Sequence, residues 1–339
     1  VLVVRVGAMG DVLHALPAVA ALRRARPEWE MDWVVDPRWA PLLVGDGKMG
    51  PVVGKVQIAE TKAWSKAPLS VGTLRSVRGL RAALRELRYD LVVDVQGTLR
   101  SAVIGRMAGA KELVGFADPR EAMAGRFYSR RVVRSGVHVV EQNVALLSEA
   151  CGVALEAESF ALPLTEWAEN WAEREAVMSR PLCLLAPGAG WGAKQWPAER
   201  FGALAKVLRG MGYDVVVNAA REGDALAGEV IAASALGDGR DAARVVVCNV
   251  AGLVALMRRT DLMVGGDSGP MHLAAALAVP TVALFGPTDP ARNGPWGPGS
   301  KVVVRDRASV TSYKRREEVD AGMASISVER VVEAVKSLI

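Results

Sequence analysis

Short apolar runs alternate with stretches of helical periodicity through both halves of the chain, and this alternation constrains the fold most. Apolar runs without polar alternation suit strands buried on both faces, and parallel neighbours need a crossover helix between them. In the first half, strands are expected at 2–6, 31–35, 91–95 and 112–115, with helices at 12–24 and 74–87. In the second half, strands are expected at 182–186, 214–218, 244–248, 262–265 and 281–285, with helices at 198–211 and 254–259. The reading is α/β, two open parallel sheets that face a ligand cleft. At about 100–200 residues per domain, 339 residues suit two. Proline at 163 places the boundary there, giving domains 1–162 and 163–339, the second opened by a helix over 166–178.

Composition excludes several classes. With 51% hydrophobic and 23% charged residues the chain is neither disordered nor fibrous. The longest apolar stretch, 274–285, is broken by Pro280, well short of the ~18 residues of a membrane helix. The opening apolar run is cut by Gly7, Gly10 and Asp11 and reads as a buried strand rather than a signal peptide. Cys151, Cys183 and Cys248 are odd in number and lack metal-ligand spacing, as in reduced core thiols of a cytoplasmic protein. The net charge, 42 − 37 = +5, sits in the first half: residues 62–134 hold 15 basic and 6 acidic side chains, or +9. Such a segment attracts a polyanion or an anionic membrane surface. At 5% aromatics and without a nucleic-acid module spacing, nucleic acid is not the expected partner.

Four loops after strands carry the chemistry. Gly7, Gly10 and Asp11 open the first helix; Asp11 is there either a helix cap or a functional carboxylate. Gly188, Gly190, Gly192 and Lys194, the lysine flanked by Trp191 and Trp196, suit a diphosphate. Asp267, Ser268 and Gly269 lead into a helix with proline at its first position, so that free amides meet an anion, and His272 lies in its first turn. Gly286 to Pro290, with Thr288 and Asp289, follows the next strand. A dehydrogenase reading, with Asp36 as the ribose-binding acid, fails on glycine spacing, because the G-x-G-x-x-G pattern is absent around Gly7.

Together these motifs resemble glycosyltransferase family 9, the bacterial heptosyltransferases of the lipopolysaccharide inner core. The likeness lies in A-M-G-D-V-L-H (8–14), K-x-W-P (194–197), D-S-G-x-x-H (267–272) and G-P-T-D-P (286–290), and spans nearly the whole chain. D-W-V-V-D (32–36), D-V-Q-G-T-L-R-S-A (94–102) and R-E-x-x-A-x-x-F-Y (120–128) are most similar to the heptosyltransferase I branch. The resemblance implies a GT-B fold: two Rossmann-like domains, the first holding Kdo-lipid A at the inner face of the inner membrane of a Gram-negative-type cell, the second binding ADP-heptose. The segment 327–339 reads as a helix of the kind that commonly crosses back to the first domain in this fold.

The resemblance implies roles for individual residues. Asp11 would take the proton from the attacking Kdo hydroxyl in an inverting displacement. Lys194 would stabilise the departing ADP, with Asp267, Ser268, Gly269, His272 and Thr288 shaping the donor site and Glu222, rather than Asp224, on the ribose. Gly10, His14, Lys62, Lys66, Gln96 and Arg120 would meet the acceptor. The absence of a D-x-D motif implies transfer with neither metal nor other cofactor. Two alternatives stay open: a heptosyltransferase II-like or other ADP-sugar transferase with a different sugar acceptor, and a module that binds a nucleotide sugar without turnover.

Overall fold

The computed structural model describes residues 1–46, 48–50, 52–176, 180–235, 243–306, 309–312 and 315–339. The chain divides into two compact units, Val1–Leu164 and Thr165–Ile339, with the break two residues beyond the one expected from Pro163.

The first unit contains β1 (Leu2–Val4), α1 (Met9–Ala25), β2 (Asp32–Val35), a small hairpin of β3 (Val44–Gly45) and β4 (Lys48–Met49), then β5 (Lys55–Ile58). After these come α2 (Thr61–Lys66), α3 (Val71–Glu86), β6 (Leu91–Asp94), α4 (Leu99–Met107), β7 (Glu112–Phe116), β8 (Arg130–Val132) and α5 (Val139–Cys151). Its parallel sheet runs β5-β2-β1-β6-β7-β8. β1 is fully buried, and Leu2 and Val4 on one of its faces join Val34, Leu84, Val92 and Leu113 in one core.

The second unit repeats the plan. It runs α6 (Glu166–Glu175), β9 (Leu182–Ala186), α7 (Ala198–Gly210), β10 (Asp214–Ala219), α8 (Ala225–Ser234), β11 (Arg244–Val247) and α9 (Val250–Met257). It closes with β12 (Leu262–Gly266), α10 (Gly269–Ala276), β13 (Thr281–Phe285), α11 (Pro290–Asn293), β14 (Lys301–Arg305), α12 (Ala321–Ser325) and α13 (Val328–Lys336). The sheet order is β11-β10-β9-β12-β13-β14. The last helix, α13, packs on α7, β13 and β14 of this unit. α9 begins four residues earlier than expected, because Asn249 caps it by accepting from the Gly252 N–H. Of the expected helix at 166–178, residues 177 and 178 lie outside the described residues.

In each sheet the first strand lies between the second and the fourth of the six, so the crossovers reverse direction beside it. Open α/β sheets bind ligands at that reversal, beyond the carboxyl ends of the strands. The loops placed there are those after β1 and β6 in the first unit and after β9 and β12 in the second.

Candidate active site

In the second unit, both loops at the reversal converge on one carboxylate. Asp267 follows β12 and is 7% exposed; its Oδ2 is 2.5 Å from Lys194 Nζ and its Oδ1 is 3.2 Å from His272 Nε2. Burial pushes the Asp267 carboxyl up, but the hydrogen bond from His272 and the charge of Lys194 outweigh it, holding the group well below the usual carboxylate range. An ionised carboxylate only accepts, so His272 Nε2 is the donor in this contact.

Lys194 ends a short turn, Gly192–Lys194, its ammonium 5.4 Å from the centre of the Trp191 ring. The turn is fixed from behind. The Ala193 N–H donates to the Arg316 carbonyl, the Asp320 N–H donates to the Ala193 carbonyl, and a Cβ at Gly192 would overlap the carbonyl of Glu317. Trp196 is wholly buried, donates through Nε1 to the Ile326 carbonyl and meets Phe201 edge-on. Gly266 lets this loop approach β12, since a Cβ there would press on the Lys194 carbonyl.

α10 begins at Gly269 with Pro270 in its second position, one later than expected, and Ser268 is its N-cap. The Ser268 side chain makes no capping bond, and among the described residues its buried Oγ has no partner. Thr288 beyond β13 is similar, 1% exposed, its buried Oγ1 without a partner among the described residues. A buried hydroxyl without a partner costs free energy, which an acceptor brought by a ligand would relieve; the two hydroxyls lie on the loops after the neighbouring strands β12 and β13. Among the described residues no group of three His, Cys, Asp or Glu side chains is arranged to hold a metal.

Beyond β10, Glu222 is exposed, whereas Asp224 caps α8 by accepting from the Ala227 N–H. Both line an open cavity of about 460 Å³ with Trp171, Gly223 and Val245–Val247. The cap engages one oxygen of Asp224 and leaves the other beside the exposed Glu222 carboxylate on the cavity wall.

In the first unit, the loops after β1 and β6 meet in the same manner. Asp11 is the third residue of α1, not its N-cap: Oδ2 accepts from the Ala8 N–H at 3.1 Å, and Oδ1 pairs with Arg5 at 2.6 Å. Its side chain keeps 36% exposure. Arg5, which belongs to none of the four motif loops, is buried and also donates to the Val95 carbonyl. Gln96 accepts from the Val6 N–H and donates to Thr98 Oγ1. Buried Asp94 orders that loop, accepting from the Gln96 and Gly97 N–H groups and from Ser101 and Tyr128 hydroxyls. Gly97, at φ 71°, turns the chain under Arg120, whose side chain lies on the exposed rim.

The remaining acceptor candidates separate. Lys62 and Lys66 are exposed on α2. Gly10 lies in the first turn of α1, and His14 is buried one turn on, its ring edge-on to His138 at 5.3 Å. Asp36 is bound by two nitrogens of the Arg38 guanidinium and by the Thr61 hydroxyl, which hold its carboxyl below the usual range against burial. A carboxylate so engaged fixes the start of α2 and is not offered to a ribose.

The model of glycosyltransferase family 9 (heptosyltransferase) matches residues 77–321, a stretch that includes the Lys194, Asp267 and Thr288 loops. The chain belongs to this family. Lipopolysaccharide heptosyltransferase 1 of Pseudomonas aeruginosa is 32% identical over 306 residues, covering 88% of this chain and 81% of the relative. Lipopolysaccharide heptosyltransferase 1 of Escherichia coli K12 is 27% identical over 320 residues, covering 91% and 95%. The solved structure of E. coli heptosyltransferase WaaC with ADP matches 100% of this chain and 99% of its own, with a TM-score of 0.80 at 23% identity. The fold of this family 9 member is thus GT-B.

Proposed function

We propose that this family 9 enzyme transfers heptose from ADP-heptose to a Kdo residue of Kdo-lipid A, as in lipopolysaccharide inner-core synthesis. The observation that carries the donor half is the cluster of Lys194, Asp267 and His272, with an unpartnered hydroxyl on the same loop at Ser268 and another on the loop after the neighbouring strand at Thr288. It offers a cation, helix amides and two hydroxyls to a diphosphate. The likeness to heptosyltransferase 1 supports the sugar and the acceptor.

In this reading the Kdo hydroxyl oxygen attacks the anomeric carbon of the heptose. The bond from that carbon to the β-phosphate oxygen breaks, ADP leaves with its electron pair, and Asp11 takes the hydroxyl proton. A single displacement inverts the anomeric centre. Charge grows on the leaving oxygen, and Lys194 with the Ser268 and Gly269 amides offsets it; each donor so aimed lowers the barrier by roughly 3 kcal/mol. Asp267 does not meet the phosphates directly. Its ionised carboxylate holds the Lys194 ammonium and the His272 ring in place, and Glu222 holds the ribose.

Residues 1–164 take the acceptor through Gly10, His14, Gln96, Lys62, Lys66 and Arg120, and the enzyme works at the cytoplasmic face of an anionic inner membrane. Among the described residues no helix is long and apolar enough to cross a membrane. The test is ADP release from ADP-heptose with and without Kdo-lipid A. Release that requires Kdo-lipid A supports the reading. Release that requires a different sugar acceptor assigns the chain to another branch of the family.

A further inference from the structure

We propose that the outward face of α3, with the turn before it, docks this protein on an anionic lipid bilayer. The inference rests on the reading above only in that the acceptor is lipid-borne.

Successive helical residues turn by about 100°, so Val71, Leu74, Arg75, Arg78, Arg81, Ala82 and Arg85 share one face of α3. The opposite face holds the buried Leu80 and Leu84. α3 is anchored to the preceding helix: Trp64 Nε1 donates to Ser76 Oγ, which donates to Glu60. The outward face is therefore held outward, and it is exposed along its length.

Ser70 caps α3, which sets Leu69 and Leu74 where a hydrophobic staple would bury both. They are not so packed. Leu69 is 88% exposed, Val71 71% and Leu74 44%, an apolar tip beside four arginines. Glu86, at the far end, is the one acid in α3, and among the described residues Arg75, Arg78 and Arg81 have no ion-pair partner.

Apolar side chains at one end of a basic helical face match a bilayer interface, where the tip enters the headgroup boundary and the arginines meet lipid phosphates. A second copy of the chain fits worse, since a two-fold contact through this face sets arginine against arginine. Nucleic acid fits worse too, because the face has no aromatic ring for base stacking.

The test is co-sedimentation of the full chain with phosphatidylglycerol-rich vesicles and with pure phosphatidylcholine vesicles. Wild type should prefer the anionic vesicles at least tenfold, less so at high salt. The triple variant R75Q/R78Q/R81Q should bind about a hundredfold more weakly, roughly fivefold per charge. The variant L69S/V71S should lose about tenfold with little change in salt dependence. Both should keep wild-type melting temperature and wild-type turnover of a lipid-free Kdo acceptor.

Equal wild-type binding to neutral vesicles, or undiminished binding by the triple variant, overturns the proposal. So does a wild-type dimer in analytical ultracentrifugation that both variants abolish, which would assign the face to self-association. If vesicle binding follows the expected pattern while no Kdo acceptor is turned over, the docking face stands and the acceptor assignment fails.

Discussion

The guanidinium of Arg5 lies 2.6 Å from Oδ1 of Asp11 and is tethered on its other side to the Val95 carbonyl. The proposed base is thus pinned to β6 through a residue at the end of β1. Arg5→Met removes one of the two anchors of Asp11 and leaves only the Ala8 N–H. Misplacing a reacting group by about 1 Å costs on the order of 10²-fold. The expected outcome is a kcat 10–100-fold lower, roughly in proportion to that displacement, with ADP affinity unchanged and partial recovery in Arg5→Lys. Steady-state kinetics with calorimetric ADP titration checks it, and an altered ADP affinity would place Arg5 elsewhere in the mechanism.

Thr288→Val separates stability from function. The Oγ1 it removes is buried and unpartnered, so the free protein should hold its stability or gain up to about 1 kcal/mol. Donor affinity should fall roughly tenfold, as expected when a buried hydrogen bond to a charged ligand is lost. Thermal melts with and without ADP read both signs. A loss of stability in the free protein would show that the hydroxyl serves the fold.

Gly192→Ala tests how the lysine is positioned. The added methyl group meets the Glu317 carbonyl, and backbone against backbone has no rotamer to yield. A cost of about 1–3 kcal/mol is expected. Turnover should fall further than Trp191→Phe lowers it, because the whole Gly192–Lys194 turn must move. Equal stability and activity in Gly192→Ala would mean that the contact with residues 316–320 is dispensable.

Lys194→Met should destabilise the protein by about 3 kcal/mol at neutral pH, since it leaves a buried carboxylate short of its cation. The pH dependence has a definite sign. The folded Asp267 carboxyl lies below its ordinary value of 3.8, so the stabilisation is complete above that pH and drains away as pH falls through the range beneath it. The gap between wild type and variant should therefore narrow on acidification, as followed by denaturant melts from neutral pH downward. A gap that stays constant to the acid limit contradicts the linkage.

Much of this was legible in the sequence, for a physical reason. Strands such as β9 and β13 are buried on both faces, so their apolar runs are uninterrupted and their limits were read correctly. The edge strands β5, β8 and β14 were missed because they carry Lys55, Arg130 and Lys301, the charges that discourage pairing with another sheet. The motif loops were found because glycine, proline and acids cluster after strands. Their supports were not. Arg5 acquires its part through Val95, ninety residues away, and Trp196 through Ile326, and neither distance leaves a local trace. That Asp224 caps α8 was likewise visible only once the helix was in view.

The most direct test of the central claim is acceptor-dependent ADP release by Asp11→Asn. The substitution keeps the size of the side chain and an oxygen for the Ala8 N–H, but removes the proton acceptor. The account predicts that wild type releases ADP from ADP-heptose only with Kdo-lipid A, and that Asp11→Asn binds ADP as wild type does yet releases none above background. Turnover by Asp11→Asn at the wild-type rate would contradict it.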